Sequence, residues 1–160
     1  MALRHSIVIL ASALALSAAQ VPDMSGTWQL NVQKSRWGKH TKPTSGEVTM
    51  EHHEPALKYS GNIISPNGEN GEPGESTLTY AFDGAIDGKE YPVTGTLADG
   101  KIVFKRVNDH TITSDFKSSD GKLTQSARTT ISPDGKTLTR VMHEQGPHGE
   151  VNWTEVYDRK

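Results

Sequence analysis

The sequence predicts an all-β protein, a single antiparallel up-and-down β-barrel of about ten strands. The tripeptide Asp-Gly-Lys occurs four times, beginning at Asp87, Asp99, Asp120 and Asp134. Asp-Gly favours the tight turns that join antiparallel strands, because both residues tolerate a positive φ. Between these turns, apolar and polar residues alternate with a period of two, which buries one face of each strand. Closing the sheet removes its two edges, so a barrel is favoured over two stacked sheets.

The predicted strands follow one another with short connections. The first carries Trp28, Leu30 and Val32 on one face. The segments 33–45 and 65–75 are predicted loops, the second because it is rich in Pro and Gly. Proline cannot donate to a ladder, so Pro92 makes its strand an edge or bulged strand. The strands are 26–32, 47–53, 56–64, 76–82, 90–95, 101–107, 110–117, 122–131, 136–143 and 150–157.

The Asp-Gly-Lys turns are interpreted as steric features. They predict a positive φ at Gly88, Gly100, Gly121 and Gly135, with a solubilising lysine after each glycine. A calcium loop needs several carboxylates within one short segment. Each turn here offers one aspartate followed by glycine and lysine, so no calcium site is predicted.

The N-terminal segment 1–19 has the pattern of an export signal. A basic start at Arg4 precedes the apolar run 7–16 and a small-residue cleavage pattern, which leaves Gln20 as the first mature residue. The run is about half the roughly 20 residues that a membrane-spanning helix needs. The chain contains no cysteine for a lipid anchor or a disulfide. We expect an exported bacterial protein, periplasmic or secreted, without a stable membrane anchor and with one barrel domain over 20–160.

The charge pattern argues against a polyanionic partner. The chain has 17 Lys and Arg against 19 Asp and Glu, a net charge of −2. No block of five or more like charges occurs, so nucleic acid is not an expected partner. A monomer is expected.

Several blocks spread along the mature chain carry a family resemblance. They are SGTWQLN and KSRWG within 25–38, DGKEYPVTG at 87–95, SPDGKTLT at 132–139, and GPHGE at 146–150 followed by Val156-Tyr157. With these blocks the chain resembles a group of exported bacterial proteins described as lipocalin-like and mostly uncharacterised. The resemblance implies a small calycin-like barrel and export, and it brings no catalytic residues.

The resemblance to lipocalins proper rests on the first strand. Gly26-Thr27-Trp28 matches their Gly-x-Trp motif. That resemblance implies a tryptophan that closes one barrel end beneath a basic residue, for which Arg159 is the candidate. The chain lacks the C-terminal helix that is usual in lipocalins.

No catalytic residue, metal site or cofactor is predicted. His52 and His53 are adjacent, so a regular strand turns them to opposite faces and they cannot share one metal ion. The sequence has neither a cysteine nor a Gly-x-Ser-x-Gly elbow. Glu155 shares a face with Trp153 and Tyr157, which places it inside with a partner or, as the favoured alternative, at the rim with access to solvent.

The predicted function is binding of a small apolar or amphipathic molecule, such as a fatty acid or an isoprenoid, inside the barrel. One alternative is an envelope interaction module with a filled barrel. A less favoured one is a small-molecule enzyme that uses inward polar groups. The candidate interior ligand-binding residues are Trp28, Met50, Tyr59, Tyr80, Phe82, Phe104, Arg106, Phe116, Gln125, Met142, Trp153 and Glu155.

Overall fold

The computed structural model of the protein describes residues 22–67, 73–96 and 99–160. The predicted export signal lies outside these residues. Ten antiparallel strands close into one barrel in which each strand pairs with the next and β1 pairs with β10. The strands are β1 (Gly26–Leu30), β2 (Ser45–His53), β3 (Ala56–Asn67), β4 (Pro73–Ala85), β5 (Glu90–Thr94), β6 (Gly100–Asn108), β7 (Thr111–Ser118), β8 (Thr124–Ile131), β9 (Thr137–Gly146) and β10 (Gly149–Arg159). The predicted fold class is confirmed.

The described residues contain no helix. Consequently, none of them belongs to a helix long and apolar enough to cross a membrane.

Several predicted strand boundaries are wrong, most clearly at β1 and in the hairpin of β3 and β4. β1 ends at Leu30, and Val32 lies in the following loop, where it still packs against the core. The hairpin of β3 and β4 is longer than predicted, because the pairing continues through Ser65 and Ser76. Backbone hydrogen bonds extend a ladder even where the side chains no longer alternate in polarity. The predicted loop 65–75 therefore contributes residues to both strands.

The predicted positive φ is confirmed at three turn glycines and is wrong at Gly100. Gly88, Gly121 and Gly135 have φ of 78°, 71° and 69°. Gly100 instead opens β6, facing the interior beneath Phe116, and an added Cβ would lie 2.9 Å from that ring. The added Cβ would lie still closer, 2.2 Å, to the carbonyl oxygen of Lys117. This glycine therefore allows the close approach of the neighbouring strand and of its aromatic ring, and it is not needed for a turn conformation.

The turn chemistry also differs from the two-residue hairpin that Asp-Gly predicts. Gly121 donates its N–H to the carbonyl of Ser118 at 2.9 Å, so glycine occupies the last position of the turn. Asp120 Oδ1 accepts from Ser118 Oγ at 2.7 Å and from the N–H of Lys122 at 3.1 Å. The turn after β8 repeats this arrangement. The aspartate side chain thus stabilises the turn through local hydrogen bonds.

One end of the barrel is closed by Trp28. Its side chain is fully buried, and its Nε1 donates to the carbonyl of Met24 at 2.9 Å. The guanidinium of Arg159 lies 4.3 Å from the ring centroid, and its Nε donates to the carbonyl of Gly135 at 2.7 Å. The resemblance to lipocalins implies a tryptophan beneath a basic residue at a barrel end, and Trp28 with Arg159 has this arrangement.

A buried histidine also lies at the closed end. His52 is buried and His53 is exposed, as the alternation of strand faces predicts. His52 Nδ1 accepts the N–H of Met24 at 3.4 Å. Burial lowers the pKa of His52, and the positive charge of Arg106 lowers it further. Glu54 also lies beside His52, but it forms an ion pair with Arg106.

Aromatic packing fills the lower half of the barrel, the half next to Trp28. The ring of Phe82 stacks on Tyr59 at 5.2 Å and meets Phe104 at 4.9 Å. Tyr91 completes the group with an edge contact to Phe82 at 5.8 Å. Such a packed group leaves little space at this end, and any sizeable cavity must lie towards the other end.

Candidate ligand cavity

The upper half of the barrel, the half away from Trp28, is hollow. Its cavity has a volume of about 360 Å³, within the range of roughly 300–1,000 Å³ that is typical of small-molecule sites. We call this space the barrel cavity. Most of its wall is apolar, formed by Trp37, Ile63, Leu78, Val93, Ile102, Phe116, Leu123, Met142 and Trp153.

The loop between β1 and β2 borders the mouth of the cavity. Arg36 anchors it to β10 through two backbone hydrogen bonds with Thr154, at 2.8 and 2.7 Å. Beyond this anchor, the His40 ring stacks on Trp153 with 4.1 Å between centroids, and Trp37 packs against the same tryptophan. The loop therefore narrows the opening through aromatic contacts.

A buried ion pair forms the floor of the cavity. Arg140 on β9 is directly opposite Glu155 on β10, and its Nη1 donates to Glu155 Oε2 at 3.0 Å. Tyr157 Oη donates to the same oxygen at 3.0 Å, and Trp153 Nε1 donates to Oε1 at 2.9 Å. Three donors thus converge on one carboxylate. The favoured rim position of Glu155 is wrong, because the carboxylate lies inside, where Arg140, Trp153 and Tyr157 are its partners.

The electrostatics of the floor follow from burial and from this ion pair. Burial raises the pKa of Tyr80 to about 12. Burial also raises the pKa of Tyr157, and the negative charge of Glu155 adds to the rise. For Arg140, burial acts against the charged form, but the attraction of Glu155 and the nearby tyrosines outweighs it and raises the pKa. At neutral pH the floor therefore contains a charged arginine and neutral tyrosines.

Tyr80 is an unusual member of the floor. Its hydroxyl oxygen is enclosed and forms no hydrogen bond of standard geometry with the described residues. Arg140 and Tyr157 lie close enough to this hydroxyl to lower its pKa against the dominant effect of burial. The ring rests beside Gly61, where an added Cβ would lie 2.6 Å from the Tyr80 Cζ. Gly61 thus allows the tyrosine to lie across the interior of the barrel.

A second, much smaller void lies between the floor and Trp28. Its volume of about 30 Å³ corresponds to roughly one water molecule. Tyr59, Tyr80 and Arg140 border both spaces. These side chains thus separate the barrel cavity from the packed closed end.

The predicted interior residues divide among these spaces. Those that line the barrel cavity are Tyr59, Tyr80, Phe116, Gln125, Met142, Trp153 and Glu155. Trp28, Met50 and Phe104 line the small void. Phe82 borders neither space, because Tyr59 and Phe104 pack over it. Arg106 borders neither, since it lies at the closed end against Glu54.

Sequence reasoning missed Arg140, Tyr157 and the mouth residues Trp37 and His40. Arg140 falls between Leu138 and Met142 on an inward-facing series, so the period-two pattern is the signal that could have identified it. The same alternation placed Tyr157 with Glu155. No periodic pattern could show that the loop before β2 folds over the mouth.

Among the described residues, no group of three or more His, Asp or Glu side chains could hold a metal ion. Comparison of the sequence with models of known protein families and with curated proteins gives no match. The resemblance to exported lipocalin-like proteins therefore stays a prediction. The shape and chemistry of the barrel cavity are the basis for a functional proposal.

Proposed function

We propose that this protein is exported and binds one small amphipathic molecule in the barrel cavity. The observation that carries the proposal is the combination of a cavity of about 360 Å³, an apolar wall and a polar floor. In a barrel filled by its own side chains, only the loops would be available to bind a partner, and the barrel would serve as their scaffold. The hollow upper half supports ligand binding over such a scaffold role.

The wall favours a hydrocarbon guest. Each methylene group transferred from water into apolar surroundings contributes about 0.8 kcal/mol. Ile63 and Leu78 are directly paired neighbours on β3 and β4, and together with Phe116 of β7 they line the cavity. A short hydrocarbon segment would replace water along these surfaces.

The floor favours a guest with one polar end. Arg140 and Glu155 lie at the inner end of the cavity, and the apolar residues lie between them and the mouth. A guest with its polar group inward would meet the arginine, and its tail would extend towards Trp37 and Trp153. Specificity in such sites comes from a few convergent polar groups within an apolar pocket.

Native mass spectrometry of the protein purified from its own host tests this proposal. We expect a stoichiometric adduct of small-molecule mass that dissociates under activation. The mass of the polypeptide itself reports the N-terminus, which we expect at Gln20 if the export signal is cleaved. A chain that retains 1–19 would contradict the export part of the proposal without affecting the binding part.

A filling variant links the adduct to the cavity. Leu78 lines the cavity, so Leu78→Trp should occupy the space and reduce both the adduct and the displacement of a fluorescent lipid probe. Val141→Trp is the matched control, because Val141 is on the outer surface and 52% exposed. Equal binding by both variants, or no adduct and no probe binding in the unmodified protein, would overturn the proposal.

A further inference from the structure

We propose that the polar end of the guest is a neutral hydrogen-bond acceptor, with a carbonyl oxygen as the best fit, held by Arg140 at the floor. This inference rests on the proposed function and specifies the chemistry of the same site. It distinguishes ketones, aldehydes and esters from carboxylic acids and amines. Three features of the floor support it.

The first feature is the unused donor capacity of Arg140. A guanidinium carries several N–H donors, and the bond to Glu155 uses the one on Nη1. About a fifth of the side chain remains exposed, 22% by area, although the residue lies inside the barrel and borders both spaces. Its exposed surface therefore faces the interior of the barrel. An oxygen of the guest could accept from this surface without disturbing the ion pair.

The second feature is that three donors already engage the carboxylate of the floor. Glu155 already accepts from Arg140, Trp153 and Tyr157. Tyr80 adds a hydroxyl that has no partner of standard geometry among the described residues. A guest that brings an acceptor oxygen can receive a hydrogen bond from Arg140 or from the Tyr80 hydroxyl without competing for the carboxylate.

The third feature is the charge of the cavity. Arg140 and Glu155 cancel, and no other Lys or Arg lines the cavity in the described part of the chain. Glu144 adds a further negative charge on the wall, where it accepts from Gln125 Nε2 at 3.1 Å. A carboxylate guest would share Arg140 with Glu155 and would also face Glu144. Such like-charge contacts discriminate strongly between partners.

The same arrangement disfavours an amine at the floor. An ammonium group has hydrogen-bond donors only, so it cannot accept a hydrogen bond from Arg140. Its positive charge would also be repelled by Arg140. A carbonyl oxygen avoids both problems, because it accepts hydrogen bonds and carries no net charge.

A matched set of probes tests the inference. A medium-chain methyl ketone, the carboxylic acid and the primary amine of the same chain length each compete with a fluorescent lipid probe at neutral pH. We expect the ketone to bind at least about ten-fold more tightly than either charged probe, a ratio that corresponds to about 1.4 kcal/mol. An acid that binds as well as the ketone, or better, would overturn the headgroup assignment and leave the proposed function standing. Failure of every probe, including the fluorescent one, would count against the proposed function itself.

Two variants connect the preference to the floor. Glu155→Gln removes the negative charge beside Arg140, so the preference should shift from the ketone towards the acid. Glu144→Gln is the matched control, because its carboxylate does not contact Arg140 and its removal should shift the preference less. An unchanged preference in folded Glu155→Gln would contradict the assignment. If that variant does not fold, the ratio of ketone to acid in the unmodified protein decides the question.

Discussion

The closed end of the barrel allows a direct test of how the fold is stabilised. Trp28 is fully buried between Met24 and Arg159. Trp28→Ala would remove the largest side chain of this end and leave a space that rigid strands cannot fill. Substitutions of this kind cost about 3–5 kcal/mol. The hydrogen bond from Nε1 accounts for about 1 kcal/mol of this loss, and the contact with Arg159 contributes on the order of 0.5–2 kcal/mol.

Trp28→Phe is the matched control. It keeps an aromatic ring against Arg159 and loses the Nε1 donor and part of the volume. The carbonyl of Met24 would then lack its partner, so we expect a loss of about 1–2 kcal/mol. The difference between the two variants separates the contribution of bulk from that of the hydrogen bond.

Urea denaturation followed by far-UV circular dichroism measures these effects, because the signal does not depend on the tryptophan that is replaced. The slope of the free energy of unfolding against urea should stay the same, so that the midpoint reports stability. A loss below about 1 kcal/mol for Trp28→Ala would refute the reasoning. Such a result would mean that Trp28 does not close the barrel.

The remaining predictions concern a turn and the buried histidine. Gly135→Ala should lower the free energy of unfolding in urea by about 1 kcal/mol. An added Cβ would meet no neighbouring atom, so the cost comes from the positive φ of 69° alone. Asparagine tolerates this conformation, so an equally large loss for Gly135→Asn would contradict the steric reasoning. Burial and then Arg106 lower the pKa of His52 below 6.5, and the opposing pull of Asp23 is weaker. The unfolded chain therefore binds the proton more tightly, and the free energy of unfolding should decrease between about pH 7.5 and about pH 5.5. His52→Gln should remove part of this decrease and the exposed His143→Gln should not; equal pH dependence in both variants would contradict the assignment.

The alternation of residues in the sequence predicted the architecture well because a strand has only two faces. One face is buried in a barrel, so the pattern that places Trp28 inside also places Phe104 and Met142 inside. The number of strands follows from the turns that separate them. Closure follows from the cost of exposed sheet edges.

The same alternation could not predict which part of the barrel is hollow. Tyr59 and Phe82 both belong to inward-facing series, yet one borders the cavity and the other is packed behind it. That difference depends on where bulky rings on separate strands meet across the interior. The level of a residue along the barrel depends on register, which period-two alternation alone does not specify.

The polar floor was difficult to predict for a different reason. Arg140 and Glu155 lie on separate strands, and each alone is costly to bury. Sequence reasoning therefore favoured a rim position for Glu155 and left Arg140 out. Only the register that pairs β9 with β10 shows that each is the partner of the other. Gly100 is a similar case, because its role depends on the close approach of Lys117 and Phe116 on the neighbouring strand.

A crystal structure of the protein purified from its own host tests the central claim most directly. We expect elongated density in the barrel cavity, with one end within hydrogen-bond distance of Arg140 and the other between Trp37 and Trp153. Side chains or ordered water alone in this space, in a preparation whose mass spectrum also lacks an adduct, would contradict the claim that the barrel binds an amphipathic molecule.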